Sequence, residues 1–280
     1  MTIKLFDYQK EAVKKALSLP NTLIAMRAGS GKTIISMFLA NYLLKKNIVD
    51  KVLYGVTVSS SVAIRSDYRD KLGIKLPSPY EKEDKVFDFL SDPDQKVGII
   101  KHAMFRNLGL DNDCIKKFKE LKKQGLRTAL FIDEAHNIQN PTSLTHEGHA
   151  NVRFFFDRQT LFTATPYRSC LSQLFGTTHL IQPKLWGNST RNALAEFKRR
   201  YLVIKMIKNW KTKRERPEII AYKNLQQLRR ELEPFTYFYY PPIKLNFFNH
   251  NITLNDYSEY DELCMGIMTL NDLEKIKSGG

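Results

Sequence analysis

Residues 22–33, TLIAMRAGSGKT, decide the fold of this chain. The apolar run 22–26 predicts a buried strand, the glycines after it predict a tight loop, and residues 34–46 carry apolar side chains at helical spacing. A strand that enters a helix through a glycine loop can present backbone N–H groups and a helix N-terminus to a phosphate. The stretch therefore predicts an α/β fold with an anion-binding loop.

The same alternation of strand and helix continues along the chain. Helical patterns cover residues such as 5–19 and 114–124. Four further apolar runs predict strands, at residues 51–58, 97–100, 128–132 and 160–163. Strands that alternate with helices predict a parallel sheet with helices on both faces.

The composition favours an anionic partner and a reducing compartment. The formal net charge is +15 and the pI is near 9.6, which points first to nucleic acid and second to an anionic membrane surface. Three scattered cysteines fit neither a disulfide framework nor a zinc site. No stretch resembles a signal peptide or approaches the ~20 apolar residues of a membrane span. We expect a soluble, intracellular protein that does not enter a membrane.

The positive charge is concentrated after the predicted sheet. Residues 191–230 hold thirteen Lys or Arg against three Glu, and strand signals fade after about Pro183. Helical periodicity at 192–201 and 225–232 predicts a basic helical extension, and Pro241-Pro242 predicts an extended connector. Residues 244–254 and 257–265 then predict a strand and a helix start. We expect a nucleotide-binding lobe at 1–185, the basic extension and linker at 186–245, and the beginning of a second lobe at 246–280.

The glycine loop carries the first chemical prediction, an ATP site. Lys32 would reach the β and γ phosphates, and the Thr33 hydroxyl would bind Mg²⁺. Met26 stands where the full phosphate-loop pattern has a glycine. The alternative is a glycine turn that only caps a helix. The residues that we expect to contact ATP here are Gly29, Ser30, Gly31, Lys32 and Thr33.

Asp133 and Glu134 follow the apolar run TALFI, so both carboxylates should emerge at the carboxyl end of a strand, where α/β proteins bind ligands. Asp133 could hold Mg²⁺ through water and Glu134 could polarise the attacking water. A solvated surface pair is the alternative.

Two further candidates lie outside these motifs. Thr163 and Thr165 end another strand and could link the nucleotide site to a neighbouring surface. The Gln9 amide could bind adenine.

Four short motifs give the chain a family resemblance. FDYQ at 6–9, GSGKT at 29–33, DEAH at 133–136 and TATP at 163–166 resemble, in order and spacing, the Q motif, Walker A, Walker B and motif III of superfamily 2 helicases. DEAHNIQNPTS at 133–143 is similar to the corresponding signature of the Swi/Snf branch of double-stranded DNA translocases. Val58 and Ala164 depart from that branch, which often has proline and glycine there.

The resemblance implies a RecA-like P-loop NTPase lobe that hydrolyses ATP with Mg²⁺. It further implies that Ser59 and Ser60, with Lys101 and His102, face the phosphate backbone of the tracked strand. The charge of 191–230 adds a second candidate contact with nucleic acid, with a solvated helical face as its alternative. The basic residues that we expect to make this contact include Arg199, Arg200, Lys211 and Lys213.

The resemblance also implies a partner lobe. Superfamily 2 motors place ATP between two RecA-like lobes, and no motif IV, V or VI precedes Gly280. Without an arginine finger turnover typically falls by on the order of a thousandfold, so we expect poor hydrolysis until a second lobe is supplied in cis or in trans. We expect an ATP-dependent helicase or translocase acting on duplex or branched DNA. A motor subunit of a restriction or defence complex, an ATP-switched binding module and an RNA substrate remain open.

Overall fold

The structure is a computed structural model, and it describes residues 4–166, 171–187, 189–208 and 215–240. The predicted connector at Pro241-Pro242 and the predicted start of a second lobe at 246–280 lie outside the described residues. Within them, helices and strands alternate along most of the chain. The helices are α1 Asp7–Ser18, α2 Lys32–Lys45, α3 Val58–Leu72, α4 Glu83–Ser91, α5 Met104–Leu110, α6 Asn112–Lys123, α7 Leu144–Val152, α8 Ser172–Ile181, α9 Thr190–Tyr201 and α10 Leu225–Leu232. The strands are β1 Asn21–Met26, β2 Lys51–Val56, β3 Val97–Lys101, β4 Thr128–Ile132, β5 Arg158–Thr163, β6 Leu202–Lys208, β7 Glu215–Tyr222 and β8 Thr236–Tyr239.

Six strands form one parallel sheet in the order β3-β2-β4-β5-β1-β8. Successive residues of β1 pack on opposite faces: Leu23 and Ala25 join one hydrophobic cluster, and Ile24 and Met26 join the other. Each strand therefore needs apolar residues on both sides, which explains the continuous apolar runs in the sequence. The predicted α/β fold, with a parallel sheet covered on both faces, is confirmed.

Helices α1, α2 and α3 cover one face of the sheet, and the helices from α4 onward cover the other. None of the helices in the described part of the chain is both long and apolar enough to cross a membrane. Because the six strands run in the same direction, their carboxyl ends lie at one edge. That edge carries the glycine loop after β1, Asp133 after β4 and Thr163 at the end of β5.

The region after Pro183 differs from the sequence-based expectation. The two predicted helices are found as α9 and α10, but strands occur there too. Strands β6 and β7 form a separate antiparallel hairpin, and β8 pairs in parallel with β1 at the edge of the main sheet. The hairpin is mostly exposed, so it lacks the long apolar run by which a buried strand is recognised. The predicted helical extension thus also contains strands, and one of them completes the sheet.

One predicted strand ends earlier than expected because a helix cap follows it. The apolar run predicts a strand as far as Val58, but β2 ends at Val56 and Val58 begins α3. Thr57 caps that helix: its Oγ1 accepts a hydrogen bond from the Ser60 backbone N–H at 3.1 Å, and the Ser60 hydroxyl accepts one from the Thr57 N–H at 3.0 Å.

Candidate nucleotide site

The glycine loop between β1 and α2 has the backbone that its glycines predict. Gly29 and Gly31 have φ values of 77° and 82°, in the left-handed region that favours glycine. A Cβ atom on Gly31 would also lie only 2.4 Å from Nε2 of Gln9. Met26, where the full pattern has glycine, is a fully buried core residue at the end of β1. The loop begins after it, so this departure from the pattern leaves the loop intact.

Lys32 lies in the first turn of α2 with its ammonium group directed back over the loop. Its Nζ donates to the backbone oxygens of Met26 at 3.1 Å and Arg27 at 3.3 Å. Burial lowers the pKa of Lys32, and the nearby carboxylates of Glu134 and Asp133 oppose that effect. The ammonium thus bonds to two carbonyl oxygens and lies in the field of two carboxylates, in a position where phosphate oxygens could replace the carbonyl oxygens. Thr33 follows it in the same turn and is partly buried.

Asp133 and Glu134 leave the carboxyl end of β4 in different environments. Burial and the neighbouring Glu134 raise the pKa of Asp133, while Lys32 and the Ser60 hydroxyl lower it. Glu134 has φ 49° and ψ 52°, a left-handed conformation that is uncommon outside glycine and asparagine. Such backbone strain clusters at functional sites because the surrounding structure must maintain it. Here the strained residue is one of the two carboxylates predicted to act on ATP.

A series of polar contacts joins Glu134 to the end of β5. Oε2 of Glu134 lies 3.2 Å from Nδ1 of His136, which in turn lies 3.4 Å from Oγ1 of Thr163. The Thr163 oxygen also accepts a hydrogen bond from the Thr165 backbone N–H at 3.1 Å. The Thr165 hydroxyl oxygen is buried and makes no hydrogen bond with the described residues. His136 is the member of this series that the sequence did not single out, although it stands inside the DEAH motif.

Gln9 is buried beside the glycine loop. Its Oε1 accepts from the Phe6 backbone N–H at 3.0 Å, and its Nε2 donates to the Ser30 carbonyl oxygen at 3.0 Å. The amide therefore fastens the start of α1 to the loop, and its predicted contact with adenine stays a prediction. The Tyr8 ring stacks on Tyr239 with 4.3 Å between centroids, so two further aromatic residues border the loop. Only Tyr8 had a sequence signal, as part of FDYQ.

The residues expected to face nucleic acid after β2 and β3 divide into exposed and buried ones. Ser59 is exposed at the start of α3, and Ser60 is partly buried and acts on the pKa of Asp133. Lys101 is partly exposed and forms an ion pair with Glu81 at 3.1 Å. His102 is buried, with its Nε2 3.2 Å from the Gly55 carbonyl oxygen, and burial lowers its pKa. His102 therefore supports the sheet edge from within, and Ser59 and Lys101 remain the accessible pair.

The candidate contacts of the basic segment lie partly on α9. Arg199 is highly exposed, and both Arg199 and Arg200 form ion pairs with Glu196. Exposed pairs of this kind contribute little to stability, so the guanidinium groups can exchange Glu196 for a phosphate at small cost. Lys211 and Lys213 lie outside the described residues. The contact of this segment with nucleic acid stays a prediction.

Comparisons with known proteins agree with this geometry. The family model described as type III restriction enzyme, res subunit, matches residues 2–168. The chain is similar in structure to the SWI2/SNF2 ATPase core of Sulfolobus solfataricus in complex with dsDNA, with TM-score 0.57, 17% identity and coverage of 84% of this chain and 44% of that chain. A second structure, the SWI2/SNF2 ATPase core domain of the same organism, has a TM-score of 0.56 and 16% identity. That match covers 86% of this chain and 44% of the other. Comparison with curated proteins gives no match.

At these identities the structural likeness establishes the fold, and the family match establishes a helicase-type ATPase domain. The predicted resemblance to superfamily 2 helicases is confirmed by the family match, and the Swi/Snf-like branch stays a prediction that the shared fold supports. The chain spans 44% of the length of each Sulfolobus protein.

Proposed function

The chain belongs to the family described as type III restriction enzyme, res subunit, and we propose on this premise that it is the ATP-binding lobe of a motor that moves along or remodels duplex or branched DNA. The observation that carries the proposal is the meeting of Lys32, Asp133 and Glu134 at one sheet edge, where both carboxylates act on the pKa of the lysine. A cation aimed at the glycine loop and two carboxylates beside it suit phosphoryl transfer from ATP to water.

The residues that would hold Mg²⁺ are Thr33 and Asp133. The burial that raises the pKa of Asp133 would be offset by a cation at its carboxylate, so the donor set fits the ion. In the described part of the chain no group of three or more His, Cys, Asp or Glu side chains could hold a metal by itself. Mg²⁺ at a nucleotide site is typically bound through one or two protein groups, phosphate oxygens and water. When bound, Mg²⁺ would neutralise charge that develops on the phosphates.

The other residues have separable roles in the proposal. The loop N–H groups and Lys32 bind and orient the phosphates, and Glu134 orients the attacking water and accepts its proton. A second RecA-like lobe, in cis or in trans, would supply a further cationic contact with the γ phosphate. Motion of that lobe relative to this one converts each hydrolysis event into a step along the nucleic acid.

The choice of DNA rests on charge and on the relatives. The net charge of +15 suits a polyanion, and the Sulfolobus core was solved in complex with dsDNA. Ser59 and Lys101 on this lobe, with Arg199, Arg200 and the lysines at 211 and 213, would contact phosphates without reading sequence. His102 and Ser60 would position the sheet edge beneath them.

The family description favours one second candidate, the motor subunit of a restriction complex. That function requires a nuclease partner, so DNA cleavage that depends on ATP and on a co-purified nuclease would identify it. A binding module that uses ATP only as a switch would instead show no turnover that rises with nucleic acid.

The proposal is tested by comparing ATP hydrolysis by the full-length protein with matched DNA and RNA duplexes. We expect a several-fold increase with DNA and a smaller one with RNA, measured as phosphate release at fixed ionic strength. Hydrolysis that neither duplex raises would reject the motor. A larger increase with RNA would reject DNA as the substrate.

The series of contacts from Glu134 through His136 to Thr163 predicts how nucleic-acid binding reaches the catalytic carboxylate. We expect Thr163→Val to leave ATP affinity near wild type and to lower DNA-stimulated turnover about tenfold, a coupling of ordinary size, because the valine keeps the shape but removes the contact with His136. Thr160→Val, on the same strand but bonded to Thr22 in the interior, is the matched control. Equal loss of turnover in both variants would mean that the effect is structural.

A further inference from the structure

The carboxyl end of strand β8 lies beside the start of the glycine loop. Strand β8 follows β1 at the end of the described sheet, and Tyr239 pairs with Met26, the last residue of β1. Because the two strands are parallel, both end at the sheet edge that carries the candidate nucleotide site. Strand β8 belongs to the part of the chain after residue 185, which the sequence predicts to be a basic extension. The last described residues of that extension therefore lie at the nucleotide edge.

Tyr239 contacts the glycine loop in two ways. Its carbonyl oxygen accepts a hydrogen bond from the Arg27 backbone N–H at 3.2 Å. Its ring stacks on Tyr8 with an interplanar angle of 4°, and the Tyr8 hydroxyl donates to the Ser30 carbonyl oxygen at 3.3 Å. The end of β8 is thus attached to the loop directly at Arg27 and, through Tyr8, at Ser30.

The next residue, Tyr240, contacts a different motif. Its hydroxyl donates to the carbonyl oxygen of Ala164 at 2.8 Å, within the TATP motif at 163–166. Strand β1 lies between β8 and β5, so the side chain of Tyr240 passes across the carboxyl end of β1 to reach the end of β5. The ring is 6% exposed and packs in the hydrophobic cluster on one face of the sheet, which fixes where the hydroxyl lies. Two consecutive tyrosines therefore join the TATP motif to the glycine loop.

Ala164 is a position at which such a bond can affect chemistry. Thr163, directly before it, is the last paired residue of β5, so Ala164 begins the loop that follows the strand. The Thr163 hydroxyl oxygen lies 3.4 Å from Nδ1 of His136, which contacts Glu134. A shift of the backbone at Ala164 would therefore change the distance between Thr163 and His136. A hydrogen bond is directional, so the one from Tyr240 holds that backbone in one position.

We propose that Tyr240 is a positioning residue for ATP hydrolysis. Its hydroxyl holds the TATP motif against the end of β1 and so keeps Thr163 in contact with His136. The bond is made to a backbone oxygen, so Tyr240 acts on hydrolysis through the motif and not through the phosphates. This inference rests on the proposed function, because it requires that ATP is hydrolysed at this site. The segment after residue 185 then contributes to the nucleotide site as well as to the predicted contact with nucleic acid.

The test is the change Tyr240→Phe in the full-length protein, with kcat and KM for ATP measured by phosphate release in the presence of duplex DNA. The substitution keeps the buried ring and removes the hydroxyl that bonds to Ala164. We expect kcat to fall about three- to tenfold, the range that one hydrogen bond of ordinary strength gives. KM for ATP and the affinity for a fluorescent ATP analogue should stay within about twofold of wild type, because no contact with ATP is lost.

Tyr237→Phe is the matched control, because it makes the same change on the same strand. It removes the hydrogen bond from the Tyr237 hydroxyl to the Tyr8 carbonyl oxygen at 2.9 Å and so weakens the attachment of β8 to α1. The value of kcat should stay within about twofold of wild type, and thermal melting should show both variants folded. An equal loss of kcat in the two variants would overturn the inference, since Tyr240 would then act only by holding β8 in place.

A double-mutant cycle with Thr163→Val identifies the route. If Tyr240 acts through Thr163, the double variant should be no slower than Thr163→Val alone, because the contact with His136 is already lost. Losses that multiply, or a slow Tyr240→Phe protein beside a normal Thr163→Val protein, would reject this route and with it the inference. Wild-type kcat in Tyr240→Phe would also reject the inference and leave the proposed function standing. A wild-type protein that hydrolyses no ATP, with or without duplex, would reject both.

Discussion

Glu134→Gln is expected to bind ATP as tightly as the wild-type protein and to hydrolyse it about a hundredfold to ten-thousandfold more slowly, the usual contribution of a positioned general base. The amide keeps the size of the side chain and removes the negative charge that orients and deprotonates water. Glu134 holds this charge on a left-handed backbone, with φ 49°, beside the Lys32 ammonium whose pKa it raises. Binding is measured with a fluorescent ATP analogue, and hydrolysis by phosphate release from the full-length protein.

Lys32→Ala is the matched comparison for that prediction. The alanine removes the ammonium group that lies over the loop, so both ATP binding and hydrolysis should be lost. The same change removes two hydrogen bonds to the Met26 and Arg27 carbonyl oxygens, and a melting curve will show any effect on folding separately from activity. Rapid hydrolysis by a folded Lys32→Ala protein would reject the nucleotide site. Loss of ATP binding in Glu134→Gln would reject the division of roles between the two carboxylates.

Acid is expected to unfold this lobe well before its carboxylates titrate. His146, His149 and His179 are buried between α7, α8 and the sheet, beside Arg153. Burial lowers the pKa of His146 to about 4, and those of His149 and His179 to about 3, from an ordinary value of 6.5. Arg153 adds to each shift through its positive charge. The three rings are therefore neutral in the folded protein at pH 6.

The direction of the pH effect follows from these lowered pKa values. Below pH 6.5 the unfolded chain takes up protons at these histidines, while the folded protein does not until the pH nears 4. Their contribution to stability is complete above pH 6.5 and is lost as the pH falls toward the folded-state values. Each histidine contributes up to about 1.4 kcal/mol per pH unit, so the three together give at most about 4 kcal/mol per pH unit.

The measurement is the free energy of unfolding from urea titrations between pH 7 and pH 5, a window above the titration of most carboxylates. The matched variant combines His146→Asn with His149→Gln. These amides retain the hydrogen bonds that the rings make to the Ile138 carbonyl oxygen at 2.9 Å and to Oε1 of Gln159 at 2.9 Å, but do not titrate. Its pH slope should be smaller by up to about 2.8 kcal/mol per pH unit, the contribution of the two histidines that no longer titrate. An unchanged slope would show that the acid response arises elsewhere.

The amino-acid sequence by itself predicted most of the main sheet and the sheet edge at which the candidate nucleotide residues lie. Five of its six strands were predicted from apolar runs, because a parallel strand covered on both faces has to be apolar at nearly every position. The strand ends then located Lys32, Asp133, Glu134 and Thr163, because parallel strands bring their carboxyl ends to one edge. These signals are local: each depends on a few consecutive residues and on the direction of the strand.

Only the tertiary structure decided which distant segments meet. The pairing of β8 with β1, the contact of His136 with Thr163 and the burial of His102 join parts of the chain that no periodicity relates. The hairpin was missed for the converse reason. Its strands are mostly exposed, so they lack the continuous apolar run by which a buried strand is recognised. Which side chains are buried, and which residues contact each other, depends on the whole fold. The pattern of apolar residues in the sequence indicates only the local secondary structure of each segment.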